Sequence, residues 1–377
     1  MKFLITNIFY LILFLIAIFR PVLAQEKKNI TLKDAYKDYF LIGTALNTTQ
    51  LLELNPKVTN TISNNFNSIV AENCMKSMYL QPREGEFNFK EADKFVEFGE
   101  KHGMQIIGHT LIWHSQAPHW FFTDKNGNDV SKEVLIERMR NHINTVVSRY
   151  RGRIKGWDVV NEAILDNGEW RKSKFYEIIG EDYFKLAFEF AHKADPNAEL
   201  YYNDYNTAIE SKRNGIASKI KHLLDLGVKV DGLGMQEHHG LNFPSLSEVE
   251  ATIQKFSSLR LKVMVTELDI NILPNERKMM TADINEREKY KKELNPYING
   301  LPEEVSIQLG NRYIDLFKLY LKYADKISRV TLWGVSDKDS WLNNFPIQGR
   351  TNYPLLFDRN YDPKPFVQDI LNLPSNK

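Results

Sequence analysis

Gly156-Trp157-Asp158-Val159-Val160-Asn161-Glu162 and Val263-Met264-Val265-Thr266-Glu267 are short runs of β-branched and other apolar residues, each ending on a carboxylate. Such runs suit strands buried on both faces, as in a parallel sheet. Outward from these two, similar runs recur at Phe40 to Thr44, Ser68 to Ala71, Met104 to Leu111, Ile154 to Val160, Glu199 to Tyr202, Gly232 to Met235, Val263 to Thr266 and Val330 to Trp333. Amphipathic helical patterns separate them at Lys90 to His102, Ser131 to Tyr150, Asp182 to Lys193, Lys212 to Leu226, Ser247 to Leu259 and Pro302 to Tyr323. Alternation of buried strands with such helices implies an α/β fold. Eight repeats of the unit favour closure into a single (β/α)8 TIM barrel over an open sheet.

In such a barrel, functional side chains stand at the carboxyl ends of the strands. This is where the chain places its conspicuous polar residues: Glu72-Asn73, His109, Trp113-His114, Asn161-Glu162, Asn203-Asp204-Tyr205, Gln236-Glu237-His238, Glu267-Leu268-Asp269 and Trp333. One strand-end glutamate is commonly a cap or an ion-pair partner. Two of them, on the fourth and seventh strands, match what glycosidic bond cleavage requires: an acid to protonate the leaving oxygen and a carboxylate facing it across the anomeric carbon. Glu162 and Glu267 are therefore the catalytic candidates.

The composition supports a neutral ligand. Lysine plus arginine number 49 and aspartate plus glutamate 48, so there is no net field to hold nucleic acid or an anionic membrane. Aromatic content of 12% suits a sugar-binding cleft. His109, His114, His119, His238 and His239 raise a zinc alternative, but a binuclear site would announce itself with His-x-His on the first strand, where Gly43-Thr44-Ala45 stands. No phosphate loop or Gly-x-Ser-x-Gly elbow occurs. Neither a metal nor a cofactor is expected.

The start of the chain reads Lys2, an apolar run from Phe3 to Phe19, then Arg20-Pro21-Val22-Leu23-Ala24-Gln25. This pattern predicts a signal peptide over 1–24 with cleavage after Ala24, against the alternative of an uncleaved anchor. The mature catalytic domain then spans 25–377, secreted or periplasmic, a monomer, with no membrane attachment after cleavage. Cys74 is the sole cysteine, so no intrachain disulfide can form. The highly charged stretch from Asn275 to Leu301 is expected to be an elaborated loop on the active-site face.

With these residues in view, the chain resembles glycoside hydrolase family 10, the endo-1,4-β-xylanases, over nearly all of its length after the signal. The resemblance is carried by Gly108-His109-Thr110-Leu111-Ile112-Trp113-His114-Ser115-Gln116, Trp157 to Glu162, Thr266-Glu267-Leu268-Asp269-Ile270, Trp333-Gly334-Val335-Ser336-Asp337 and Pro354-Leu355-Leu356-Phe357-Asp358. It implies retaining hydrolysis of xylan, with Glu162 as acid/base and Glu267 as nucleophile. It further implies that Asn161 binds the 2-hydroxyl of the sugar being cleaved. Glu72, Asn73, Lys76 and Gln116 would hold the next sugar towards the non-reducing end. His109 and Trp113 would bind at the cleavage position, covered by Trp333 and Trp341. Tyr205 would stack on the leaving-side sugar, Gln236 would lie near the acid/base, and Asp269 would orient His238, which positions Glu267.

Two positions depart from the family pattern: Ser77, where Trp is frequent, and Ile107, where Arg is frequent. Neither removes a catalytic atom. The competing readings are a related barrel hydrolase acting on glucans, and a carbohydrate-binding barrel that has lost catalysis. The second would lack a glutamate, and both are present.

Overall fold

The computed structural model describes residues 30–274 and 292–376, so the expected signal peptide and most of the expected loop after Pro274 lie outside the described residues. Eight parallel strands close on one another: β1 (Leu41–Leu46), β2 (Ser68–Ala71), β3 (Gln105–Trp113), β4 (Gly156–Asn161), β5 (Glu199–Asp204), β6 (Gly232–Met235), β8 (Lys262–Asn271) and β9 (Ile327–Leu332). Each pairs with its sequence neighbour, β6 pairs directly with β8, and β1 pairs with β9 to complete the ring. A ninth, short strand, β7 (His238–Gly240), lies parallel to the far end of β8. The (β/α)8 barrel expected from the alternating pattern is thus present.

The six expected helices appear within a few residues of their bounds, and Pro56–Asn65 forms a further one outside them. Only Val58 and Ile62 of that helix are buried, so its apolar stripe is narrow. It starts because Asn55 accepts the Lys57 N–H and Pro56 occupies the first turn, where a missing N–H costs nothing. The Leu246–Ser257 helix begins with a full capping box, Ser245 and Glu248 each satisfying the other's backbone. Among the described residues no helix is long and apolar enough to cross a membrane.

Most of the core lies between the barrel and its helices, while a smaller cluster fills the barrel itself: Ala45, Val70, Ile107, Tyr201, Met264 and Trp333. Ile107, one of the two departures, is therefore an inward-facing residue among apolar neighbours. A buried cation of this interior is Arg329, whose guanidinium lies 5.0 Å from the Tyr201 ring centroid. On the other face of the strand that carries Ile107, Gly108 matters for space, because a Cβ at that position would come within 2.1 Å of the ring of Trp157, which belongs to the layer between barrel and helices.

One expectation needs correction. The sequence pattern puts Glu267 at the end of its strand, but β8 continues to Asn271. The extra length comes from pairing with β7, His238 opposite Asp269, and the register with β9 slips between Val265 and Leu268. Bulges of this kind re-aim side chains next to active sites. Glu267 accordingly sits at an irregularity inside a long strand, and Asp269 two residues on faces the same way.

Candidate active site

Glu162, Tyr205, Gln236 and Trp333 each follow the last residue of a strand, Glu72 follows β2, and Trp113 ends β3. All of these stand at the carboxyl-terminal rim, where Glu162 and Glu267 are held by two different sets of donors. Glu162 Oε2 accepts the Trp113 indole N–H at 2.9 Å, while Oε1 accepts from Gln236 Nε2 at 3.1 Å and Asn161 Nδ2 at 3.2 Å. Glu267 Oε1 accepts from Asn203 Nδ2 at 2.7 Å, and Oε2 lies 3.2 Å from His238 Nε2. The same Asn203 amide donates to Asn161 Oδ1 at 3.0 Å, so a chain of amides joins the two carboxylates. Thr266 fixes that amide's orientation, its hydroxyl donating to Asn203 Oδ1 at 2.7 Å.

His238 lies between two carboxylates. Its Nδ1 is 3.0 Å from Asp269 Oδ1, and the other Asp269 oxygen accepts the Trp341 indole N–H at 2.8 Å. Burial would lower the His238 pKa, but Asp269 and Glu267 outweigh it and lift it to about 10. Burial would likewise raise the Glu267 carboxyl. The His238 hydrogen bond, the nearby His109 and His238 charges and the Asn203 amide reverse that and hold Glu267 below the usual carboxylate range. A carboxylate kept ionised in a buried site is what a nucleophile requires.

Beside this pair a second group of polar residues assembles around Lys76. Lys76, buried, donates to Asn73 Oδ1 at 3.0 Å and sits 4.9 Å from the Trp113 ring centroid. Burial lowers its pKa against the charges of Glu267, Glu72 and Glu162, and burial raises Glu72 against the charge of Lys76. Gln116 Oε1 is buried without a hydrogen-bond partner. The other departure, Ser77, is buried and donates through its hydroxyl to Gln116 O at 3.2 Å, tying the Lys76 and Gln116 segments together. His109, packed edge-on to Trp333 at 5.4 Å between centroids, pairs through Nδ1 with Asp158 at 2.9 Å.

Not every candidate histidine joins the cleft. His119 lies in a short turn with Nδ1 3.1 Å from the Thr123 hydroxyl, and His239 pairs with Glu237 at 3.0 Å. Burial, helped by the charges of Arg171 and Lys212, lowers His114 to about 4. Four contributors have no role assigned from the sequence: Asn203, Thr266, Asp158 and Arg171, the last reaching the Glu162 carbonyl and the Tyr205 hydroxyl. Asp158 has a readable signal, a carboxylate in an otherwise apolar strand. Arg171 has none, since it reaches the site through a loop.

The model for glycosyl hydrolase family 10 matches residues 31–373. The chain belongs to that family. As a family 10 glycosyl hydrolase it is 52% identical over 353 residues to an endo-1,4-β-xylanase A of Xylanibacter ruminicola, covering 94% of this chain and 96% of the relative. An endo-1,4-β-xylanase of Geobacillus stearothermophilus is 41% identical over 346 residues, 91% of this chain and 98% of the relative. Among solved structures, a family 10 endoxylanase retrieved from sugarcane soil metagenome superposes with a TM-score of 0.86 at 48% identity, covering 92% of this chain and 99% of that one. A xylanase from Paenibacillus barcinonensis, complexed with a conduramine derivative, gives 0.83 at 38% identity with the same coverage. In this family 10 member, then, the two glutamates, the amide chain between them and the aromatic rim occupy one cleft.

Proposed function

We propose that this enzyme is an endo-1,4-β-xylanase that cleaves internal links of xylan with retention of configuration. The observation that carries the reading is the asymmetry of the two carboxylates. Glu267 is kept ionised by His238 and Asn203, while Glu162 lies under the Trp113 and Gln236 donors and is linked through Arg171 to Tyr205. In the first step Glu267 attacks the anomeric carbon and Glu162 gives its proton to the departing glycosidic oxygen, leaving a glycosyl ester on Glu267. In the second, Glu162 takes a proton from water, the water oxygen bonds to the anomeric carbon, and Glu267 leaves as carboxylate. The product is the β anomer.

The surrounding residues take the roles their positions suit. Asn161 meets the 2-hydroxyl of the sugar at the cleavage point, where His109, Trp113, Trp333 and Trp341 surround the ring. Glu72, Asn73, Lys76 and Gln116 hold the sugar before it, and the unpartnered Gln116 oxygen suits a hydroxyl donor. Tyr205 stacks on the leaving-side sugar. His238, oriented by Asp269, positions Glu267. Residues 1–24 direct secretion, and 25–377 act as a monomer outside the cytoplasm.

The substrate is tested by reducing-sugar release from xylan beside carboxymethylcellulose. The expected result is rapid release from xylan and little from the glucan, whose hydroxymethyl groups crowd the pocket around Glu72, Asn73 and Lys76. Equal or greater activity on the glucan overturns the assignment.

A further inference from the structure

Glu162 holds a left-handed backbone, φ 58°, which non-glycine residues keep only when their surroundings impose it. Three contacts impose it here. The Glu162 N–H donates to Asn203 O at 2.9 Å, its carbonyl accepts Nε–H of Arg171 at 2.8 Å, and the following N–H, of Ala163, donates to the Tyr202 hydroxyl at 3.0 Å. Two of these come from β5. The third comes from a loop that doubles back: Ile164 bridges Trp170, and Arg171 N–H donates to Ala163 O at 2.8 Å. The loop is seated on the Glu210–Asp225 helix so closely that a Cβ on Gly215 would lie 2.4 Å from Gly168 O. Lys219 donates to that same carbonyl at 2.8 Å.

Arg171 does more than hold this peptide. Its other arm donates to the Tyr205 hydroxyl at 2.8 Å, and the buried Lys212 ammonium, paired with Asp204 at 2.9 Å, lies 3.6 Å from the centroid of the same ring. One planar guanidinium thus bridges the peptide that carries the acid/base and the ring on the leaving side, a fork that a lysine cannot reproduce.

We propose that Arg171 is a positioning residue for proton transfer by Glu162, fixing the carboxyl relative to the leaving-group oxygen. The inference rests on reading Glu162 as the acid/base and Tyr205 as the leaving-side platform. Without the guanidinium, the Glu162 peptide loses one of its three restraints and the carboxyl, still held by Trp113, Gln236 and Asn161, shifts relative to the leaving-group oxygen; small misplacements of a reacting group cost much of its effect. Arg171 holds the Glu162 peptide and the Tyr205 hydroxyl, whereas Glu267 is held by His238 and Asn203, so the effect is confined to steps in which Glu162 moves a proton.

The test is kcat/KM on aryl β-xylobiosides whose leaving groups run from phenol to dinitrophenol, for wild type, Arg171→Met, Tyr205→Phe and Glu162→Ala. For Arg171→Met a loss of ~10 to 100-fold is expected with phenyl xylobioside, and a change of under about 3-fold with the dinitrophenyl substrate, which needs no protonation. Tyr205→Phe, which keeps the ring but removes the acceptor, should shift the dependence the same way by less. Equal losses of Arg171→Met on all substrates, or none on any, overturn the proposal. If Glu162→Ala also shows no dependence on leaving group, the acid/base reading itself is at fault, which separates the two failures.

Discussion

His238 Nε2 lies 3.2 Å from Oε2 of Glu267, and the opposite ring nitrogen is 3.0 Å from Asp269. An imidazole between two carboxylates is held charged, and its pKa near 10 follows from Asp269 and Glu267 overcoming the cost of burial. His238 is therefore imidazolium throughout neutral pH and donates to Glu267 rather than accepting from it.

This charge has a stability consequence with a definite sign. The folded pKa, about 10, lies above the ordinary value of 6.5, so the contribution is complete below pH 6.5 and is lost as pH rises towards 10. The difference in melting temperature between wild type and His238→Gln should shrink steadily over that window. Nitrogen chemical shifts should report a doubly protonated ring at about pH 8, between those two values. A neutral ring there, or a difference that grows with pH, would contradict the arrangement.

Glu267 and Asp269 share one face of β8, so chemistry must separate them. A 2-fluoro xylobioside inactivator should label Glu267 and leave Asp269 free. Glu267→Ala should lose several orders of magnitude in kcat, on the order of 6 kcal/mol or more, because no covalent path remains. If Glu267 is the nucleophile, Asp269→Asn keeps it and loosens its support, with an expected loss of ~10 to 1000-fold. Peptide mapping that finds the label on Asp269 would reverse the two roles.

Gly108 has no room for a side chain, since a Cβ there would lie 2.1 Å from the Trp157 ring. Trp157 is 1% exposed and packed within the large core cluster. Gly108→Ala should cost about 1 to 3 kcal/mol, read as a lower midpoint in urea without change in slope. Because His109 follows directly, kcat/KM should fall as well. Wild-type stability in this variant would show that the layer between the barrel and its helices can yield around Trp157.

The barrel and both glutamates are legible in the sequence because their signals are local. Eight apolar runs alternate with amphipathic segments, and Glu162 and Glu267 close the two runs that end in carboxylates. The Pro56–Asn65 helix is hidden because its stripe consists of two residues, Val58 and Ile62, and its start depends on a cap rather than on periodicity. The length of β8 is hidden for a different reason: its last residues pair with β7, a contact between distant segments. Asn203 is visible as a rim residue, but its position between Asn161 and Glu267 arises only when β4, β5 and β8 converge. Arg171 depends on a loop doubling back, which no spacing rule reports.

If Glu162 and Glu267 act on opposite sides of one β-xylosidic bond through a covalent intermediate, as a pair about 5 to 5.5 Å apart would, the anomer released first is β. Proton NMR of xylohexaose hydrolysis in its first minutes tests this most directly. The β anomeric signal of the new reducing ends should appear first, with the α signal growing later by mutarotation. An α signal appearing first would mean inversion, and double displacement would be wrong.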